Sequence, residues 1–158
     1  MSITLKNVMI SNGKRVDIRT ENGAIAEIGS ISEKGIDCSG LVALAGFVDP
    51  HTHLRQPGFE SSETVMSGTR TAAKGGYVAV TAMANTNPVA DTAAIVEEVM
   101  ALGEASRYAF VQPIGAVTKG LGGSQLSDLA GMHNSNAQVR VFSDDGLCVF
   151  DDDLMKEA

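Results

Sequence analysis

Tryptophan is absent from the 158 residues, and cysteine occurs only twice. The two thiols, Cys38 and Cys148, are too few for the disulfide framework that stabilises small secreted domains. No apolar run reaches the ~20 residues of a membrane-spanning helix, and the N-terminus lacks the basic start and apolar stretch of a signal peptide. These absences predict a cytoplasmic protein that has no membrane partner.

Basic residues are scarce as well. Lysine and arginine together number 12 against 19 aspartates and glutamates, which gives a formal net charge of -7. Such an acidic chain is poorly suited to nucleic acids, which attract basic surfaces, so we expect no nucleic acid among its partners. What the sequence does contain is 44% hydrophobic residues, enough for a globular domain with a buried core.

The first 45 residues carry the pattern of a small antiparallel β unit. Asn-Gly pairs separate short apolar or alternating runs, and this is a strong hairpin signal. We expect residues 1–45 to form a small β-sandwich domain. The predicted strands are residues 3–10, 15–20, 24–29 and 41–46.

After Gly46 the pattern changes to strands that alternate with helices, which favours an α/β fold built on a parallel sheet. Ser61 or Ser62 is the expected cap of the first helix, and Asp91 of the second. The predicted strands are residues 46–49, 77–84, 108–117 and 138–146. The predicted helices are residues 61–76, 91–107 and 124–132, and a further helix begins in residues 151–158.

A closed (β/α)8, or TIM-like, barrel takes about 250 residues. If the second part of the chain is such a barrel, residues 46–158 make up only its first half. Half a barrel leaves an apolar sheet edge open. We therefore expect the 158 residues alone to be unstable or aggregated, and inactive.

Two of the three histidines, His51 and His53, follow the apolar strand that begins at Gly46. Alternate side chains of a strand share a face, so Asp49, His51, His53 and Arg55 point the same way if the strand persists. Two imidazoles about 7 Å apart along a strand can share a divalent metal such as zinc. The alternative is a pair of surface histidines in a loop, but the end of a strand is where α/β barrels place their active sites.

Two further segments also follow predicted strands. In FSDDG, Asp144 and Asp145 can add a carboxylate to a metal centre, although Asp-Asp-Gly is equally typical of a turn. In ANTNP, Asn85 can hydrogen-bond a substrate carboxylate or amide, although the segment also fits a turn before a helix. The third histidine, His133, is interpreted as a solvated loop residue.

Four segments, GFVDPHTHLRQPG, ANTNP, GAVTKG and FSDDG, occur in this order. Together they resemble the N-terminal portion of the class I dihydroorotases of the amidohydrolase superfamily, over essentially the whole chain. The resemblance implies a composite β domain beside a metal-dependent (β/α)8 barrel that holds one or two zinc ions. It also implies the reversible cyclisation of N-carbamoyl-L-aspartate to L-dihydroorotate in pyrimidine biosynthesis, with these two small molecules as partners.

Carried over residue by residue, the resemblance makes His51 and His53 zinc ligands and Asp145 the bridging carboxylate. Hydantoinases and allantoinases usually have a carboxylated lysine in the place of that aspartate. Arg55 and Asn85 would hold the substrate's α-carboxylate, with His53 also facing the substrate. The resemblance further implies a homodimer or an association with other enzymes of the pathway.

The chain departs from the family at two points. Ala84 replaces the usual proline before Asn85, and the family's later histidines and general-base aspartate have no counterpart in these residues. The catalytic base is therefore not assigned. Two alternatives stay open, namely an inactive dihydroorotase-like chain that acts as a structural partner, and another cyclic amidohydrolase such as an allantoinase or a hydantoinase.

Overall fold

The computed structural model describes residues 1–158, which divide into two compact units, Met1–Ala45 and Gly46–Ala158. Each unit has its own sheet and its own buried cluster of apolar side chains. Neither contains a helix that is both long enough and apolar enough to cross a membrane.

The first unit is one four-stranded sheet in the order β3-β2-β1-β4, and not the expected sandwich. The first three strands are antiparallel, but β4 pairs parallel with β1. The strands are β1 (Ser2–Met9), β2 (Arg15–Glu21), β3 (Ala24–Gly29) and β4 (Ile36–Asp37).

The predicted strand at residues 41–46 is wrong. A turn in which the Leu41 amide donates to the Cys38 carbonyl (2.9 Å) redirects the chain, and only Val42 then bridges to Met9. Leu41 and Leu44 are more than 60% exposed, so their apolar character does not reflect a buried strand face. The strand that does form, β4, has only two residues and carries no periodic signal.

Asp17 is the polar centre of the first unit and is itself buried. Its carboxylate accepts hydrogen bonds from the Lys6 ammonium (2.5 Å) and from the backbone amides of Ile31 and Asn7 (both 3.0 Å). The hydrogen bond from Lys6, followed by those from the two amides, lowers the pKa of Asp17 from 3.8 to about 2. The carboxylate thereby connects β2 to β1 and to the segment after β3.

We expect Asp17 to give the first unit an acid-sensitive stability. Because its pKa is lower in the folded state than the ordinary 3.8, the contribution is complete above about pH 4 and is lost as the pH falls towards about 2. Replacing Asp17 with asparagine should lower the melting temperature at pH 7 and flatten its dependence on pH in this window. Thermal melts from pH 2 to 7 check this, with exposed Glu33→Gln as control. An unchanged profile for Asp17→Asn would contradict it.

The second unit alternates strands and helices. Its three strands pair parallel in the order β5-β6-β7, so it is an open α/β sheet and not a closed barrel. The strands are β5 (Phe47–Thr52), β6 (Tyr77–Ala82) and β7 (Phe110–Pro113). The helices are α1 (Val65–Lys74), α2 (Ala93–Ser106), α3 (Leu129–Asn134) and α4 (Asp152–Glu157), with a 3-10 turn at Lys119–Leu121.

The helix caps differ from the sequence prediction. Thr64, and not Ser61 or Ser62, caps α1, in a capping box in which its side chain accepts from the Ser67 amide (3.1 Å). Asp91 does not cap α2, because its carboxylate instead accepts a hydrogen bond from the Gly120 amide (2.9 Å). The helix predicted to begin in residues 151–158 is confirmed, since the Asp151 side chain accepts from the first free amides of α4.

The predicted strand at residues 138–146 is reduced to a single parallel bridge between Gly115 and Phe142. The Gly115 amide donates to the Val141 carbonyl (3.2 Å), and the Ser143 amide donates to the Gly115 carbonyl (2.9 Å). This segment therefore runs beside the end of β7 like a fourth strand, and it brings FSDDG to the same edge of the sheet as the ends of β5, β6 and β7.

Candidate metal centre

The end of β5 presents both histidines to one place. Thr52, between them, is anchored to β6, because its hydroxyl donates to the Thr81 carbonyl (2.6 Å) and its carbonyl accepts from the Met83 amide (2.9 Å). Although β5 has a register shift between Asp49 and Thr52 and ends at Thr52, the two imidazole rings come together, with their centroids 5.2 Å apart.

Asp145 approaches these rings from FSDDG. Its Oδ2 lies 3.4 Å from Nε2 of His51 and 3.3 Å from Nε2 of His53. One ligand atom from each of the three residues falls within 4.8 Å of the others. Segments almost a hundred residues apart thus converge on one point at the carboxyl edge of the sheet.

Asn85 fixes the orientation of the His53 ring. Its Oδ1 lies 3.0 Å from Nδ1 of His53, and an amide oxygen only accepts hydrogen bonds. Nδ1 of His53 therefore donates to Asn85, and Nε2 faces Asp145. This is the arrangement in which metal-binding histidines are usually held, with the second ring nitrogen donating to a protein oxygen.

The family model described as Dihydro-orotase-like matches residues 40–158. The chain belongs to this dihydroorotase-like family. The family resemblance predicted from the sequence is confirmed.

The similarity extends to individual relatives named dihydroorotase. The chain is 54% identical to one from Leifsonia xyli over 161 aligned residues, 51% to one from Streptomyces coelicolor over 163, and 46% to one from Mycobacterium tuberculosis over 164. These alignments cover 99–100% of this chain but only 37–38% of each relative. The chain therefore spans somewhat over a third of the length of these relatives.

Solved structures show a shared fold. An L-hydantoinase (dihydropyrimidinase) from Arthrobacter aurescens aligns with a TM-score of 0.64 at 21% identity, over 75% of this chain and 29% of that one. A D-hydantoinase from Thermus aligns with a TM-score of 0.51 at 25% identity, over 73% and 28%. The open sheet of this dihydroorotase-like chain therefore has the α/β fold of part of a larger amidohydrolase.

The donor set of the dihydroorotase-like chain fits a divalent metal. Two imidazole nitrogens and a carboxylate oxygen are common ligands of zinc and of other first-row metals. The side chains are part-exposed, with 52% of His51, 29% of His53 and 27% of Asp145 accessible, so one side of the group is open. His51, His53 and Asp145 are the residues that would hold the ion.

The other residues singled out from the sequence have different positions. Asp49 uses its carboxylate to accept a hydrogen bond from the His51 amide (3.1 Å), and therefore supports the backbone of the site. Arg55 lies beyond the end of β5 with a positive φ of 59°, and its half-buried side chain makes no hydrogen bond or ion pair within the protein. His133 lies in α3 and not in a loop, with Nδ1 3.1 Å from the Val139 carbonyl.

We expect Asn85→Ala to weaken metal binding by roughly 10–100-fold, the usual cost of losing an outer partner of a metal-ligating histidine. Without the amide oxygen, the His53 ring is free to rotate and to exchange its proton between nitrogens. Competition with a chromophoric chelator measures the change. Exposed Asn134 makes no side-chain hydrogen bond, so Asn134→Ala is the control. Equal affinities for the two variants would refute the orienting role of Asn85.

Proposed function

We propose that the protein is a dihydroorotase that interconverts N-carbamoyl-L-aspartate and L-dihydroorotate in pyrimidine biosynthesis, with zinc as its metal. The observation that carries the proposal is the convergence of His51, His53 and Asp145 at the carboxyl edge of the sheet in a chain of this family. His51 and His53 are proposed as zinc ligands, and Asp145 as the carboxylate that bridges where two ions are bound.

A bound zinc ion supplies Lewis acidity to the amide carbonyl and lowers the pKa of coordinated water from 15.7 to about 7. The residues of this chain prepare the site for that chemistry. Asn85 holds the His53 ring so that its Nε2 faces the centre, and Asp145 would contribute negative charge to balance a divalent ion. The fold holds the ligand atoms of His51, His53 and Asp145 within 4.8 Å of one another, as such a site requires.

Arg55 and Asn85 are proposed to bind the α-carboxylate of the substrate, beside His53. The Arg55 guanidinium has no partner within the protein, and its planar fork suits a carboxylate. Asn85 uses only its Oδ1 towards His53, so the two N–H groups of its amide remain available to a ligand.

We further propose that Gly46–Ala158 forms part of an amidohydrolase barrel and that Met1–Ala45 belongs to its composite β domain. The proposed partners are the two small molecules of the reaction. A homodimer, or an association with other enzymes of the pathway, remains a prediction from the family resemblance.

The test is an assay of the protein as its native source produces it. We expect interconversion of N-carbamoyl-L-aspartate and L-dihydroorotate that is lost on treatment with a chelator and restored by zinc. Hydantoin and allantoin, assayed in parallel, should be poor substrates. Preferred turnover of either one would instead support another cyclic amidohydrolase. Bound zinc without turnover of any of these compounds would support an inactive, structural role.

A further inference from the structure

The two adjacent aspartates of FSDDG lie in opposite environments. Asp145 is part-exposed and faces the two histidines, whereas Asp144 is only 7% exposed and turns into the protein. Asp144 is not one of the residues whose ligand atoms come together at the metal centre. Its burial therefore needs a different explanation from that of Asp145.

Asp144 is held by three donors from a single neighbouring segment. Its Oδ1 accepts hydrogen bonds from the amides of Val117 (2.8 Å) and Thr118 (3.1 Å), and its Oδ2 accepts one from the Thr118 hydroxyl. Thr118 is completely buried, and its hydroxyl oxygen in turn accepts from the Gly123 amide (2.9 Å). The Val117 and Thr118 amides lie in the loop after β7, and the Asp144 carboxylate supplies the acceptor that these two buried N–H groups need.

The backbone on either side of Asp145 is also fixed. The Ser143 amide donates to the Gly115 carbonyl (2.9 Å), and the Leu147 amide donates to the Asp144 carbonyl (2.8 Å). Between these two contacts, the side chain of Asp144 is the only one that anchors the turn to the loop. Releasing it would leave the Asp145 carboxylate on a turn held by backbone hydrogen bonds alone.

We infer that Asp144 is a positioning residue, which locks the turn of FSDDG to the buried Thr118 and thereby holds Asp145 at ligand distance from His51 and His53. The inference rests on the proposed function, since it concerns the same metal centre. The two aspartates have different roles, because Asp144 binds the loop after β7 and Asp145 is the residue that would bind the metal. The GAVTKG segment then contributes to the centre through Thr118, although it supplies no ligand.

Metal affinity tests the inference without any substrate. We expect Asp144→Asn to weaken zinc binding by roughly 10–100-fold, as for other outer-shell contacts, and Thr118→Val to weaken it in the same direction. Thr118→Ser keeps the hydroxyl and should bind zinc like the wild type. Because Asp144→Asn replaces the oxygen that accepts from the Thr118 hydroxyl and Thr118→Val removes that hydroxyl, both act on the same contact, and their effects should be less than additive in the double variant.

Val99→Ala is the control for a loss of stability without a change at the site. It creates a cavity in the core between α2 and the sheet, where Val99 is 2% exposed. This variant should melt at a lower temperature and bind zinc with unchanged affinity. If Asp144→Asn weakens zinc binding no more than Val99→Ala does, the inference is overturned.

A second measurement needs no metal. Crystal structures of the metal-free wild type and of Asp144→Asn should differ in the position of the Asp145 carboxylate relative to Nε2 of His51 and His53. An Asp145 that stays in place in the variant overturns the inference. If the wild type binds no zinc, the proposed metal centre is contradicted. The comparison of the two metal-free structures would still decide whether Asp144 positions Asp145.

Discussion

Replacing Asp145 with asparagine is expected to lower the affinity for zinc by more than the ~100-fold that marks the upper end of outer-shell effects. The change removes the one anionic donor of the three, and leaves two neutral imidazoles to face a divalent cation. It should also abolish the proposed interconversion of N-carbamoyl-L-aspartate and L-dihydroorotate. The affinity is measured by competition with a chromophoric chelator, followed by metal analysis of the purified protein.

The control for this experiment is Asp152→Asn. Asp152 is an exposed aspartate of α4 whose side chain makes no hydrogen bond, so the variant has the same change of charge away from the site. It should bind zinc like the wild type. His51→Ala and His53→Ala should each match the effect of Asp145→Asn. An Asp145→Asn protein that keeps wild-type affinity would show that Asp145 is not a ligand.

Replacing Gly58 with alanine is expected to destabilise the second unit by roughly 3 kcal/mol, since left-handed strain and overpacking each cost about 1–3 kcal/mol. Gly58 has a φ of +96°, and a Cβ placed there would lie 2.1 Å from the backbone carbonyl oxygen of Asn87. A backbone atom cannot move aside as a flexible side chain can. The strain falls where the loop that carries Arg55 contacts the ANTNP loop, so substrate binding should weaken as well.

Gly120→Ala separates the effect of left-handed backbone strain from that of the close contact with Asn87. Gly120 lies in the same unit and also has a positive φ (+59°), but a Cβ there would meet no atom within 4 Å. Urea denaturation of the two variants should show a much smaller loss of unfolding free energy for Gly120→Ala. Similar losses would mean that the close approach between Gly58 and Asn87 is unimportant.

The elements set by local pattern were predictable. The spacing of His51 and His53, two residues apart at the end of a predicted strand, correctly indicated that the two imidazoles lie together. The core strand β6 and the long helix α2 were located to within about two residues at each end, the usual uncertainty of helix and strand boundaries, because their apolar runs are bounded by turn residues. The position of FSDDG after a predicted strand made Asp144 and Asp145 candidates, and the family resemblance selected Asp145.

The features that the sequence did not reveal depend on contacts between distant segments. The hydrogen bond between His53 and Asn85 requires β5 and β6 to end side by side, and that from the Thr118 hydroxyl to Asp144 requires residues 26 apart to meet. The wrong prediction that Asp91 caps α2 has the same origin, because the Asp91 carboxylate accepts a hydrogen bond from the distant Gly120 amide instead.

The central claim is that His51, His53 and Asp145 form one metal centre. Anomalous diffraction at the zinc edge, from crystals of the protein grown with zinc, tests it most directly. The account predicts an anomalous peak at bonding distance from Nε2 of both histidines and from a carboxylate oxygen of Asp145. Well-ordered crystals with no peak between these three side chains, or with zinc bound only elsewhere, would contradict it.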